Sequence, residues 1–443
     1  MQFYSGEKFM ALTFADTLSD KERKRARLYA YFSAYTGCIS EVMIDSSAII
    51  IIYLTMLQCS DMLVMLSTSF SGIGSMLFLI PFAALVTRIG MKKSVGIACS
   101  IGCCGFLAMA AAPFFGEYQK FVAITGCIVF CAQRSLYTAT WYPLLDAFLR
   151  KDERGSFFGT MRYTYMIIMG VLFYLIGKLM GAKPSMLLMQ SIVAVTGLLL
   201  LGRWYCIAHF PDNTMERTAK LNIVKALGIS LRNGPLVNFA VYICLLSIAY
   251  TSLVPLTLVY LKSYVQLPPG TVQVFSTVGI AGSISGFFCY GWLLKKLKIK
   301  RLEFFVHITF AIASLLLFFL NKTMPGFLWI TGAIYFMASY AASTFMCNNS
   351  TELMALAKPG NKPMAMAFQQ TYQNIGVSIG RSGTALILGA NLLAPEWKFL
   401  SWNICHYQTL FLIYGVIATV LLILIPILPA VVPKHHDYYE PER

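Results

Sequence analysis

Apolar runs of membrane-crossing length recur along the whole chain, at about 28–57, 62–87, 94–114, 121–149, 160–181 and 186–210, and again at about 236–262, 271–294, 302–320, 327–357, 364–393 and 409–430. A helix rises ~1.5 Å per residue and a bilayer's hydrocarbon core is ~30 Å thick, so each run is long enough to cross. An all-α polytopic membrane protein with twelve transmembrane helices is expected. With 58% hydrophobic and 12% charged residues in 443, the chain lies far from a soluble domain, which carries about a quarter charged residues. The polar interruption at 211–235 divides the chain nearly in half, and its second part has the pattern of a short amphipathic surface helix. The expected organisation is a tail at 1–27, a first bundle of six helices at 28–210, the linker at 211–235, a second six-helix bundle at 236–430 and a tail at 431–443.

Charge fixes the orientation to expect. Roughly 25 of the 35 Lys and Arg fall in the set of connections that includes both tails, which the positive-inside rule places in the cytoplasm. The net charge of +16 is therefore a topogenic signal in a lipid bilayer, and nucleic-acid binding is not expected. Most of the 12 cysteines, among them Cys99, Cys103, Cys104, Cys127, Cys131 and Cys244, lie in apolar runs and read as small core residues rather than a disulfide framework. The basic cluster Lys21 to Arg27 follows the first apolar residues, so no removable signal peptide is expected.

Tyr35 to Leu57 carries Glu41 and Asp45 near its middle, four apart and so on one helical face. An acid at the bilayer centre costs roughly 2.5–3.5 kcal/mol on insertion scales, so both must face a partner or a wet cavity. Other polar groups sit deep in apolar runs: Arg134, Tyr137, Trp141 and Tyr142 in the fourth; Tyr250, Thr251 and Ser252 in the seventh; Asn348, Asn349, Gln369, Gln370, Gln373, Asn374 and Arg381 in the tenth and eleventh. Amides so dense are expensive in lipid and should face the cavity. Single aromatics are far more often packing or interfacial anchors than ligand contacts, and His307 is expected to be a helix-packing or interface histidine. Arg381 either pairs across helices or meets an anionic solute group, since guanidinium binds carboxylate and phosphate in bidentate fashion.

The halves share a constant offset: Tyr53-Leu54 with Tyr260-Leu261, Gly72-Ile73 with Gly279-Ile280, and Thr164-Tyr165 with Thr371-Tyr372, each 207 positions apart. A duplicated six-helix unit leaves such a trace, and parallel repeats place a solute site between the halves.

Ala83 to Lys93, AALVTRIGMKK, resembles the loop motif G-x-L-x-D-R-x-G-R-K of the major facilitator superfamily, with Leu85, Arg88, Gly90 and Lys92 in register and Ala83 and Thr87 departing from its Gly and Asp. Gly291, Leu293 and Lys296 repeat part of it in the second half. Leu145 to Arg162, LDAFLRKDERGSFFGTMR, is similar to that superfamily's acidic residue, loop Arg-Gly and following Arg. The resemblance implies two pseudo-symmetric bundles rocking about a midplane site. It implies a cytoplasmic gate built from Arg88, Gly90, Lys92, Asp146, Arg154 and Arg162. The first and fourth helices of each half would line the cavity, which makes Arg134 the counter-ion of Glu41 and Asp45. An acid on the first helix beside a base on the fourth is a proton-coupling pair in several such symporters, a role carried to Asp45 first and Glu41 second.

The expected function is therefore proton-coupled uptake of a small polar solute at the plasma (inner) membrane by a monomer with both termini cytoplasmic. The alternatives are a proton-driven efflux antiporter and a transporter-like receptor that binds without moving its solute. Walker, HExxH and spaced Cys/His patterns are missing, so no cofactor, metal or enzymatic activity is expected. The two acids and the two deep arginines, Arg134 and Arg381, balance to a nearly neutral cavity.

Overall fold

The computed structural model describes residues 17–146, 148–149, 153–211, 223–358, 361–399 and 402–427; the first part of the expected N-terminal tail, the whole of the expected C-terminal tail and 212–222 of the linker lie outside the described residues. Helix α1 (Asp20–Ser46) starts at a capping box, with Glu22 N donating to Ser19 Oγ and Ser19 N to Glu22 Oε2, and α2 (Ala48–Met56) continues it after a bend of 65°. One straight helix was expected here. The bend falls where Ser47 Oγ donates to Met43 O (3.0 Å) and accepts from Ile49 N (3.2 Å), ahead of four consecutive isoleucines. A serine that bonds its own backbone competes with the helix ladder, and a β-branched run resists it little.

Helix α3 (Asp61–Ile89) ends at Gly90, whose φ of 92° lets the chain reverse within one residue into α4 (Met91–Ala111). A 3-10 turn (Ala112–Tyr118) leads to α5 (Gln119–Asp146). These two helices pack antiparallel through glycines: a Cβ on Gly126 would sit 2.5 Å from Gly105 O. Helices α6 (Arg154–Met180) and α7 (Met186–Ala208) complete the first half. The expected linker helix is α8 (Ile223–Leu231); Asn361 Nδ2 donates to its Ala226 O and Ser230 Oγ, fastening it to the second half.

The second half comprises α9 (Gly234–Val259), prolonged by a π turn (Tyr260–Tyr264), then α10 (Pro269–Phe319), α11 (Phe327–Leu356), α12 (Lys362–Gly389) and α13 (His406–Ile427). Helix α10 spans 51 residues, too long for one crossing, and both its ends meet the same end of the bundle. Gly270 N donates to Gly181 O, while Gln408 Nε2 reaches Phe318 O at the start of α13. The run therefore folds back between its crossing arms Pro269–Leu297 and Arg301–Phe319. A two-stranded hairpin, β1 (Glu396–Phe399) and β2 (Trp402–Cys405), precedes α13 and departs from a purely helical reading.

Among the described residues, nine helices, or ten with the bent pair α1/α2, are long and apolar enough to cross a membrane. One of these, Met91–Leu145, is two passes joined by the 3-10 turn, and the amide-rich α12 is too polar to pass that test. Within the first half, α1 packs on α7, and α4 on α5 and α7; within the second, α9 packs on α12, and α10 on α11 and α13. The halves meet along α3 with α12 and α6 with α10. We call the end where α1 begins and α13 finishes the tail end, and the opposite one the far end.

Candidate functional site

Helix α1 presents Glu41 and Asp45 one turn apart, just before the bend. Arg134 on α5 meets both: Nη1 lies 2.5 Å from Asp45 Oδ2 and Nη2 3.7 Å from Glu41 Oε2. The structure thus brings Arg134, Glu41 and Asp45 together. Sequence reasoning missed a second arginine, Arg203 on α7, whose Nη1 lies 2.5 Å from Glu41 Oε1. Arg203 also donates from Nε to Ser33 O (3.3 Å), and its guanidinium lies 4.0 Å over the Tyr137 ring. A cation inside LLLLGRWYCIA was the available signal. The Arg203 side chain is 3% exposed against 22% for Arg134 and 25% for Asp45. Arg203 is therefore enclosed in protein, whereas Glu41, at 19%, keeps nearly the partial exposure of the Asp45–Arg134 pair.

Arg381 enters from α12. It donates from Nη1 to Thr68 O on α3 (2.6 Å) and from Nε to Thr251 O on α9 (3.2 Å), so one guanidinium ties the two halves. Its charged neighbours are Asp45 and Arg134, and among the described residues no carboxylate forms an ion pair with it. The expectation of a neutral cavity is corrected here: Arg203 neutralises Glu41, Arg134 neutralises Asp45, and Arg381 remains as an excess positive charge.

The other candidates divide. Tyr137 and Trp141 are buried against each other with ring centroids 5.6 Å apart, Tyr137 serving as the platform for Arg203. Tyr250 stacks on Phe310 at 4.8 Å and accepts from Gln373 Nε2 (3.4 Å); Gln373 in turn accepts from Asn349 (3.5 Å), which accepts from Gln369 (3.2 Å). This amide network stands beside Arg381. Asn374 donates to Gln370 O on its own helix, and Gln370 is exposed. Asn348 is fully buried and gives its amide to Glu303 and Glu352, so its expected place facing the cavity is corrected.

At the tail end, Arg88 is exposed in the last turn of α3, and Gly90 makes the reversal. Lys92 Nζ donates to Ala208 O (3.2 Å) and Phe210 O (2.5 Å), capping α7 within its own half. Arg162 does face the other half: it reaches Cys347 and lies 5.9 Å over the Phe287 ring. The side chains of Thr87, Tyr142, Asp146 and Arg154 lie outside those described. An ion pair not anticipated, Arg27 with Glu153, fastens α1 to the segment before α6.

Hydrogen bonds between the halves gather toward the far end. Asp61 accepts from Ser263 Oγ (2.8 Å) and from Tyr407 OH; Ala48 N at the bend donates to Ser276 Oγ (2.9 Å); Gly270 N donates to Gly181 O (2.8 Å). At the tail end a cavity of about 430 Å³ opens between Phe158, Arg162 and Tyr163 of α6 and Phe287, Tyr290 and Cys347 of α10 and α11.

The family model of the Major Facilitator Superfamily matches residues 30–381. A search of curated proteins finds no match. Among solved structures the chain is similar to a mutant form of the nucleoside transporter NupG, at 13% identity over 91% of this chain and 99% of that one with a TM-score of 0.69. It is similar also to a D-xylose-proton symporter (12%, 94% and 99%, 0.71) and to the inward open xylose transporter XylE from E. coli (12%, 91% and 94%, 0.61). At these identities the likeness is one of fold. With the loop motif, the helix order and a family match over most of its length in agreement, the chain belongs to the major facilitator superfamily.

Proposed function

We propose that this secondary transporter takes up a small polar solute bearing a negative charge by proton-coupled symport, with both termini cytoplasmic. The observation that carries the reading is the Asp45–Arg134 pair at 2.5 Å, part-exposed, beside the excess cation Arg381. Protonation of Asp45 frees the Arg134 guanidinium, and an anionic group on the solute takes the carboxylate's place between Arg134 and Arg381. Proton and anion then load together, and the charge of the site is the same before and after. Tyr250 and the Gln373 network, adjoining Arg381, supply neutral hydrogen bonds for the rest of the solute. The hydrogen bonds at the far end and the cavity at the tail end fit an inward-facing state of alternating access. The symport named for the D-xylose relative is in keeping with this coupling, though the charge excess here favours an acid over a neutral sugar.

The test uses full-length protein in sealed vesicles of known orientation, offered sugar acids, nucleotides and carboxylates beside their neutral counterparts. Acidic solutes are expected to draw protons in with them. Asp45→Asn should lose accumulation driven by a proton gradient while retaining exchange of solute at equilibrium, and Arg134→Ala should lose both. Full proton-coupled uptake by both variants overturns the assignment, and proton flux opposite to the solute moves it to export.

A further inference from the structure

A second group of ionisable side chains lies in the other half, near the tail end, unused by the site above. Glu303 on α10 and Glu352 on α11 are 2% and 1% exposed, and the single amide of Asn348 donates to Oε1 of each. Their remaining oxygens, both Oε2, are buried without a hydrogen-bond partner. Among the described residues beside them, His307 is the group able to become a cation, and it is fully buried. Its Nδ1 lies 2.7 Å from Glu303 O, which can only accept, so that nitrogen carries the hydrogen; Nε2 then accepts from Tyr242 OH on α9. Both ring nitrogens are satisfied in the neutral form. His307 Nδ1 also lies 3.6 Å from Glu303 Oε2, beyond hydrogen-bond reach, and among the described residues no Lys or Arg pairs with either carboxylate.

Two carboxylates served by one amide, sealed from water and without a cation, are very costly to keep doubly ionised. Two unpartnered Oε2 atoms are where the missing hydrogen belongs. We propose that Glu303 and Glu352 form a second proton-binding site, holding one exchangeable proton between them on Oε2, with Asn348, His307 and Tyr242 as its neutral hydrogen-bonding frame. The facing titratable groups are thus Tyr242 from α9, Glu303, His307 and Tyr290 from α10, and Glu352 from α11. Access comes from the tail end. Tyr290 OH lies 3.5 Å from Asn348 Oδ1, and Tyr290 and Cys347 line the cavity whose other wall is Arg162 of the first half. Because both halves form that cavity, the site exchanges protons with solvent while the tail end is open and is cut off when the halves close there. The proposal does not rest on the role given to Asp45.

Infrared difference spectroscopy of the full-length protein across an acid–base step tests it directly, since a buried protonated carboxyl has a band of its own. The wild type is expected to show that band at neutral pH and to lose it in alkali. Glu303→Gln and Glu352→Gln keep the shape but remove one acid each, and each should lower proton uptake by about one per chain while Asp45→Asn leaves this band in place. Absence of the band in the wild type at neutral pH overturns the proposal without recourse to any variant. So does its persistence at full strength in both glutamine variants, or its complete loss in Asp45→Asn.

Discussion

Glu41 and Asp45 are one helical turn apart on the same face of α1, yet their surroundings give them different work. Glu41 faces Arg203, which is buried, hydrogen-bonded to Ser33 O and packed on Tyr137. Removing a buried partner leaves an uncompensated charge and typically costs 3–5 kcal/mol. Arg203→Ala should therefore lower thermal stability in detergent by about that much, and pairing it with Glu41→Gln should recover a large part. Arg203→Ala with unchanged melting would show that Glu41 is solvated in the resting protein. Asp45→Asn, by contrast, should leave stability nearly unchanged and act on coupling, because its pair is open to the cavity. Nothing in the spacing of the two acids distinguishes them. The difference comes from α7, which the sequence does not place, and it could be read only once Arg203 was known to reach across 162 positions.

Between elements, backbone contacts set how closely the helices of the second half approach. Gly376 and Gly380 are four apart on α12; a Cβ on Gly376 would collide with Cys244 O of α9, and one on Gly380 would lie 2.5 Å from Ile248 O. Carbonyls cannot rotate away as a side chain can. Gly380→Val should thus cost roughly 1–3 kcal/mol by overpacking, and should also displace the adjoining Arg381 from Thr68 O, reducing transport. Gly383→Ala on the same helix, with open space around it, is the control and should melt as the wild type does. Equal melting of the two variants would contradict this account of the α9–α12 packing. The count of helices and their order were legible because apolar length and short polar breaks are local features. The reversal inside α10 was legible too, since the runs at 271–294 and 302–320 are separated by a basic break and match the two crossing arms. Two things were not: the bend after Ser46, which depends on a serine bonding its own helix, and the hairpin before α13, whose alternation is too short to stand out. How the amides of α11 and α12 divide between the Gln373 network and the carboxylates bound by Asn348 is a matter of which helix faces which.

At the scale of the whole molecule, a transporter of this fold works only if closure at one end is a matter of a few kcal/mol. The far end supplies contacts of that size. Asp61 on α3 accepts hydrogen bonds from Ser263 at the π turn and from Tyr407 on α13, so one carboxylate of the first half holds two elements of the second. Hydrogen bonds to a charged group contribute about 1.5–3 kcal/mol each, and every 1.4 kcal/mol changes a population ratio about tenfold. Asp61→Ala removes both contacts while leaving the Asp45 and Glu303 sites untouched, so it should shift the protein toward the state open at the far end by at least tenfold. Spin labels at Lys183 and Lys322, exposed near that end in opposite halves, report the change in a cysteine-free background. The distance distribution should gain a longer component in Asp61→Ala, and a smaller gain in Tyr407→Phe, which removes one contact. If neither substitution moves the distribution, closure is held instead by the backbone contact of Gly270 with Gly181 and by Ser276 at the bend, and Ser276→Ala should then produce the opening that Asp61→Ala did not.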